Sequence, residues 1–89
     1  MTSLPNRTRI EDSVRHHWAT VLEIPAASVS PSSDFFADGG NSLLAAELVA
    51  AVSDDIRADI DIARIFLDAS FAGLVDAATT GHHQTHTEH

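Results

Sequence analysis

The chain has 89 residues, of which 44% are hydrophobic, so it can form one small domain with a compact core. Its 13 acidic residues against 5 Arg, with no Lys, give a formal net charge of −8, which excludes a nucleic-acid binder because such proteins need a cationic surface. The absence of cysteine excludes a disulfide framework and a cysteine-based zinc site.

The two ends of the chain differ in composition from its middle. No apolar run approaches the length of a membrane span, and residues 1–6 lack the blocks of a signal peptide, so we expect a cytoplasmic protein that does not bind membranes. We predict a flexible N-terminus over residues 1–7, a folded domain over 8–80 and a disordered His-rich tail over 81–89. Because a flexible tail cannot hold imidazoles in a fixed geometry, we expect no metal site there. Met1 favours a whole, free-standing protein.

The first helix is predicted from a capping box and an apolar face. Thr8 and Glu11 have the spacing at which the two side chains satisfy free amides at a helix start. Pro25 sets the limit beyond which the helix cannot easily continue. We expect the adjacent His16 and His17 at the solvated surface. The apolar face consists of Ile10, Val14, Trp18, Val21 and Leu22.

Residues 23–41 are rich in Pro, Ser and Gly and indicate a long connection. We expect Val29 to anchor its middle to the core. Ser33 or Asp34 can cap a short turn through Phe35 and Phe36, whose rings we expect to fill the core.

A second helix is predicted over Ser42–Ile56, directly after the pair Gly39 and Gly40. The glycines leave the chain sterically bare, so a large group can approach the serine that follows. Ser42 lies at a helix N-terminus, where free N–H groups and the helix dipole favour a phosphate, although a serine there can also be a plain N-cap. The predicted buried face consists of Ala45, Leu48, Val49, Val52 and Ile56.

Two further helices complete the predicted fold. Asp61 can cap a short third helix carrying Ile62, Ile65 and Phe66, and Ser70 can cap a last one that ends at Gly81. The inner face of the last helix consists of Phe71, Leu74, Val75 and Ala78. We read residues 53–55 and 59–61 as caps and solvated carboxylates, because a calcium loop would need a central glycine and a closing glutamate. No segment alternates like a strand, so the fold class is all-α: a four-helix bundle with three longer helices, a short third helix and a long loop between helices one and two.

Several apolar residues of the second helix lie off its buried face. They are Leu43, Leu44, Ala46 and Ala50. A domain this small cannot bury every side of a helix, so an apolar face next to an accessible serine indicates the docking of partner proteins.

Residues 34–44 resemble the attachment motif of peptidyl carrier proteins, the thiolation domains of nonribosomal peptide synthesis, which are related to acyl carrier proteins. The likeness rests on Asp34-Phe35-Phe36, Gly39-Gly40 and Ser42-Leu43, with Trp18 in helix one and Arg64-Ile65-Phe66 before the last helix. It implies a bundle of the acyl carrier protein type, with 4′-phosphopantetheine from coenzyme A on Ser42 and with Gly40 and Asn41 beside it. The family more often has Leu in place of Asp38, and His or Asp in place of Asn41.

The resemblance implies a carrier without catalytic residues. The arm would hold an aminoacyl, peptidyl or acyl group as a thioester in nonribosomal peptide or hybrid natural-product biosynthesis, including that of antibiotics. The implied partners are a phosphopantetheinyl transferase, an adenylation or other loading enzyme, and downstream condensation or tailoring enzymes, which a monomer would meet in turn. The surface expected to face them consists of Leu43, Leu44, Ala46 and Glu47 on helix two and Ile65, Phe66 and Leu67 on helix three.

Three other functions are compatible with parts of the pattern. A polyketide or fatty-acid type of acyl carrier protein would share the attachment serine, and an unmodified helical protein-interaction domain would leave it bare. A hydrolase that used Ser42 as nucleophile needs a Gly-x-Ser-x-Gly turn after a strand, and here Leu44 stands where the second glycine belongs.

Overall fold

Four α-helices form the described part of the chain. The computed structural model describes the backbone of residues 7–86 and the side chains of residues 7–81. The helices are α1 (Arg7–Leu22), α2 (Ser42–Ile56), α3 (Ala63–Leu67) and α4 (Phe71–His86), with a 3₁₀ turn at Ala26–Ser28. The predicted all-α fold, its short third helix and its long first connection are therefore confirmed. Over the same residues, no helix combines the length and apolarity that a transmembrane span needs.

The core is built from the apolar faces of α1, α2 and α4. Trp18 is fully buried and contacts two other rings edge-on, with centroid distances of 5.2 Å to Phe35 and 5.7 Å to Phe71. A ring pair of this geometry stabilises a fold by about 0.5–1.5 kcal/mol beyond the contribution of its buried apolar area. The predicted inner faces of α2 and α4 are buried as expected, and in α1 Val21 and Leu22 lie at the margin of the core.

The long connection is held to the core at the predicted points. Val29 and Phe35 are buried, while Phe36 is only partly buried. Three backbone hydrogen bonds then tie the loop to the start of α4. Phe35 N–H donates to the carbonyl of Ala69 at 2.9 Å, Phe71 N–H to that of Ser33 at 2.8 Å, and Ala72 N–H to that of Pro31 at 3.1 Å. The loop before α2 is thus fixed to both the core and the α3–α4 connection.

The predicted capping box at Thr8 is wrong. α1 already includes Arg7, so Thr8 lies inside the first turn, and Glu11 pairs with Arg7 at 3.6 Å instead of reaching back to a cap. Arg7 also forms an ion pair with Asp76 of α4 at 2.8 Å. The predicted flexible N-terminus otherwise falls on residues 1–6, which lie outside the described residues.

The predicted end of the last helix at Gly81 is also wrong, because α4 continues to His86. Gly81 is buried, and a Cβ added there would lie 2.5 Å from the carbonyl oxygen of Asp59. Its missing side chain therefore allows α4 to pack closely on the α2–α3 connection rather than ending the helix. Of the predicted disordered tail, residues 81–86 are helical, and residues 87–89 lie outside the described residues.

Asp55 is exposed, as expected of a solvated carboxylate, and it also ties α1 to α2. Its Oδ2 accepts a hydrogen bond from the buried Ser13 hydroxyl at 2.6 Å and lies 3.3 Å from Nε2 of His17. Its Oδ1 accepts one from Arg9 at 3.3 Å. The Ser13 hydrogen bond is the main cause that lowers the pKa of Asp55. His16 is exposed as predicted, whereas the side chain of His17 is only 23% exposed.

Candidate functional site

The loop before α2 is ordered by hydrogen bonds around Asp34. The Oδ1 atom of Asp34 accepts from the N–H groups of Phe36 and Ala37, both at 3.0 Å. Its carbonyl accepts from Asp38 N–H at 2.9 Å, and the carbonyl of Phe36 accepts from Gly39 N–H at 3.2 Å. Asp34 therefore makes the predicted capped turn, in which backbone bonds rather than long side chains fix the path to α2.

Gly39 and Gly40 are needed for different physical reasons. Gly39 has a φ of 114°, a conformation that side-chain-bearing residues rarely adopt, and it faces open space. Gly40 donates its N–H to the carbonyl of Phe35 at 2.9 Å and lies against the Phe35 ring. A Cβ on Gly40 would overlap that ring and lie 2.8 Å from the same carbonyl oxygen. One glycine thus permits the turn, and the other permits contact with the core.

Asn41 caps α2, so that Ser42 is its first helical residue. The Oδ1 atom of Asn41 accepts from Leu44 N–H at 2.9 Å, and its carbonyl accepts from Ala45 N–H at 2.8 Å. Ser42 is therefore released from the capping role that a serine near a helix start commonly has. Its side chain is exposed, and its hydroxyl has no hydrogen-bond partner among the backbone of residues 7–86 and the side chains of residues 7–81.

The start of α2 has the features of an anion site. Asn41 satisfies the amides of Leu44 and Ala45, which leaves the N–H groups of Ser42 and Leu43 without a partner among the described residues. Free amides and the positive end of the helix dipole attract phosphate. The exposed hydroxyl, these two amides and the open space at Gly39 together fit a bulky phosphate ester on Ser42.

The predicted partner-facing residues separate into exposed and buried groups. On α2, Leu43 is 69% exposed, Ala46 and Glu47 are exposed, and Leu44 is half-buried against the core. On α3, Phe66 is 51% and Leu67 is 82% exposed, and Ile62 just before the helix adds a further apolar side chain. Ile65 is 1% exposed because α3 uses it to attach to the core, so it offers no area to a partner.

One contact at this surface was not predictable from the sequence pattern. The rings of Phe36 and Phe66 stack with a centroid distance of 5.7 Å and an interplanar angle of 16°. Phe36 also meets Phe35 edge-on at 5.7 Å. Thirty positions of sequence separate the stacked rings, and helical periodicity relates only residues of one helix.

The connection from α3 to α4 is fixed by a second acidic cap. The carboxylate of Asp68 accepts from Ser70 N–H at 3.1 Å, and hydrogen bonds from the Ser70 hydroxyl and N–H lower the pKa of Asp68. Ser70 in turn caps α4 as predicted, since its Oγ accepts from Gly73 N–H at 3.0 Å. On the other side of α3, the carboxylate of Asp61 accepts from Ala63 N–H at 3.0 Å, but the N-cap of α3 is Ile62 and not the predicted Asp61.

The fold is that of a carrier-protein domain, and comparison with known proteins gives the family. Residues 12–78 match the family described as "Phosphopantetheine attachment site". The chain therefore belongs to this family, whose members carry 4′-phosphopantetheine on a serine. The resemblance to peptidyl carrier proteins is confirmed.

Individual proteins and solved structures similar to this chain support the assignment to this family. The chain is 39% identical over 66 residues to the nonribosomal peptide synthetase easA of Emericella nidulans, and the match covers 71% of this chain but 1% of that protein. A solved structure described as "The crystal structure of holo T3CT" is similar to this chain with a TM-score of 0.70 at 32% identity. The match covers 92% of that chain and 78% of this one. An acyl carrier protein domain of the CurA module from Lyngbya majuscula has a TM-score of 0.74 at 13% identity, with 87% of it and 96% of this chain covered, and shows the shared fold.

Proposed function

We propose that Ser42 is the residue that carries 4′-phosphopantetheine. The observation that supports it is the exposed Ser42 hydroxyl, without a partner among the described residues, beside the two free amides at the start of α2. The hydroxyl can be reached by a transferase, and the amides of Ser42 and Leu43 are placed to receive the phosphate that results. Asn41 keeps this hydroxyl available because it supplies the cap itself.

The protein acts as a carrier without catalytic residues, in nonribosomal peptide or hybrid natural-product biosynthesis. When bound, the arm supplies a thiol that holds an aminoacyl or peptidyl group as a thioester. The likeness to a nonribosomal peptide synthetase favours such passengers over those of polyketide or fatty-acid carriers. The chain itself provides the attachment point and the surface for recognition. The monomeric state and the cytoplasmic location expected from the sequence remain predictions.

The exposed apolar side chains near Ser42 are proposed to contact the transferase, the loading enzyme and the downstream condensation or tailoring enzymes. These side chains are Leu43 and Ala46 on α2 and Ile62, Phe66 and Leu67 around α3. Exposed apolar residues in a cluster are typical of protein contacts. Glu47 adds a negative charge that suits a basic docking site.

The test is the mass of the intact protein after incubation with coenzyme A and a phosphopantetheinyl transferase. We expect the wild type to gain one phosphopantetheine. Ser32→Ala changes another exposed serine, in the long loop, and as the control it should also gain one. Ser42→Ala should gain none and should keep the helical circular dichroism of the wild type. A wild type that is not modified, or a Ser42→Ala variant that is, contradicts the proposal.

A further inference from the structure

The aromatic rings form a continuous series from the core to the surface of α3. Phe71 and Trp18 lie in the core with Phe35, Phe36 follows at its margin, and Phe66 ends the series with half of its surface exposed. Each neighbouring pair of rings lies between 5.2 and 5.7 Å apart. The pair at the outer end, Phe36 with Phe66, is the one that joins the loop before Ser42 to α3.

The loop before Ser42 is held firmly to the core at Phe35, whereas the part from Phe36 onwards makes fewer contacts. Phe35 is buried and hydrogen-bonded to Ala69. Beyond Phe36, the path to Ser42 consists of short hydrogen-bonded turns with an exposed glycine at φ 114°. The Phe36 ring is the large side chain of this outer part, and its stacking partner is Phe66.

We infer that Phe66 is a positioning residue, which holds the loop before Ser42 in order by stacking on Phe36. The inference rests on Ser42 being the attachment residue, because only then does the order of this loop affect transfer of the arm. Phe66 therefore does more than supply apolar area to a partner. Its neighbour Leu67 is more exposed, at 82%, and has no ring to stack on Phe36, so it offers a comparison on the same helix.

The first test measures amide hydrogen exchange in the unmodified protein alone, so that no partner is present. The reporters are the loop amides of Asp38, Gly39 and Gly40, which are hydrogen-bonded within the loop. We expect Phe66→Leu, which keeps an apolar side chain but removes the ring, to speed their exchange about two- to tenfold, as for loss of one aromatic pair. The buried α2 position Val52 reports on the fold and should not change.

Two further variants separate positioning from partner contact. Phe66→Tyr restores a ring that can stack and should return loop exchange and arm transfer to wild-type values. Leu67→Ala should leave loop exchange unchanged while it weakens the reaction with the transferase. A double variant provides an internal check: if the stack is the link, Phe66→Leu has no further effect on loop exchange once Phe36→Leu is present.

The possible results distinguish this inference from the proposed function. Unchanged loop exchange in Phe66→Leu, or full additivity with Phe36→Leu, overturns the positioning role even if the wild type accepts the arm. A wild type that refuses the arm overturns the attachment at Ser42 and with it the relevance of the loop. Faster loop exchange in Phe66→Leu, reversed in Phe66→Tyr, together with a parallel loss and recovery of transfer rate, supports the inference.

Discussion

Asn41 separates two tasks at the start of α2 that a single serine often combines. The amide side chain of Asn41 caps the helix, and the hydroxyl of Ser42 stays free of internal hydrogen bonds within the described residues. A cap of this kind contributes about 1 kcal/mol to stability. At the scale of one residue, stabilising the helix and presenting the serine are therefore independent.

Asn41→Ala should lower the free energy of unfolding by about 1 kcal/mol, because the Leu44 amide loses its acceptor. Asn41→Asp is the matched control, since a carboxylate caps equally well and its charge interacts favourably with the helix dipole. Urea unfolding of the unmodified proteins measures both. Equal midpoints for Asn41→Ala and the wild type would show that the cap does not stabilise α2.

Gly40→Ala should destabilise the fold by about 1–3 kcal/mol, because the new methyl group overlaps the buried Phe35 ring. Phe35 contacts Trp18, the only tryptophan of the chain, so tryptophan fluorescence should also change. Gly39→Ala is the comparison: it meets no atom within 4 Å but is strained by its φ of 114°. It should cost stability without altering the emission of Trp18. A shift in both variants would indicate general loosening instead of displacement of Phe35.

The sequence predicts the position of Ser42, the proposed attachment residue, better than its surroundings. Gly39, Gly40 and Ser42 are adjacent in the chain, so their relation to the start of α2 follows from local rules. The burial of Ile65 and the stacking of Phe66 depend on where α3 packs, which is tertiary information. Sequence reasoning therefore assigned all of residues 65–67 to one surface, of which the structure exposes the last two.

At the scale of the helices, α1 and α2 are joined by a polar contact as well as by the core. Asp55 near the end of α2 is bound by Ser13, Arg9 and His17, all on α1. The pKa of Asp55 is lowered chiefly by the Ser13 hydrogen bond, so the ionised form is favoured in the folded protein. The contribution of ionised Asp55 to the stability of the fold is therefore present above the pKa of about 3.9 that Asp55 has in the unfolded chain. It is lost as the pH falls through the lower pKa of Asp55 in the folded protein.

Ser13→Ala should lower the free energy of unfolding near neutral pH by about 1 kcal/mol, because Asp55 loses a hydrogen bond. This is less than a fully buried hydrogen bond to a carboxylate would contribute, because a third of the Asp55 side chain is exposed. The difference from the wild type should narrow as the pH falls from about 4, where Asp55 of the unfolded chain becomes protonated, through the lower pKa of Asp55 in the folded protein. Urea unfolding as a function of pH measures it. In an Asp55→Asn background, Ser13→Ala should have a much smaller effect, and an undiminished effect would assign the loss to packing of Ser13 alone.

The extents of the helices follow from the sequence where apolar periodicity and a cap agree. Both signals are present in α2, and its predicted range is confirmed. They conflict in α4, where the apolar face fades before Gly81 and the backbone nevertheless continues to His86. A glycine can end a helix or allow close packing, and only the position of Asp59 against α4 distinguishes the two.

For the whole molecule, the net charge of −8 would attract a partner with a basic docking surface over a distance before contact. Attraction of this kind raises the association rate and weakens with salt, since the screening length falls from about 10 Å at 0.1 M to about 3 Å at 1 M. If charge acts only through its total, the position of an acidic residue is unimportant. If a basic partner docks beside Ser42, acidic residues near this site contribute most.

Glu47 and Asp12 allow these two possibilities to be separated. Both residues are exposed. Glu47 lies on α2 five positions after Ser42, whereas Asp12 lies on α1 in a weak 3.7 Å pair with Arg15. Glu47→Gln and Asp12→Asn each remove one negative charge. We expect Glu47→Gln to lower kcat/KM for arm transfer several-fold at low salt through KM, and Asp12→Asn to have a smaller effect. Both differences should disappear near 1 M salt, where screening reaches about 3 Å. Equal losses in the two variants would mean that total charge alone guides the encounter and that Glu47 is not part of the docking surface.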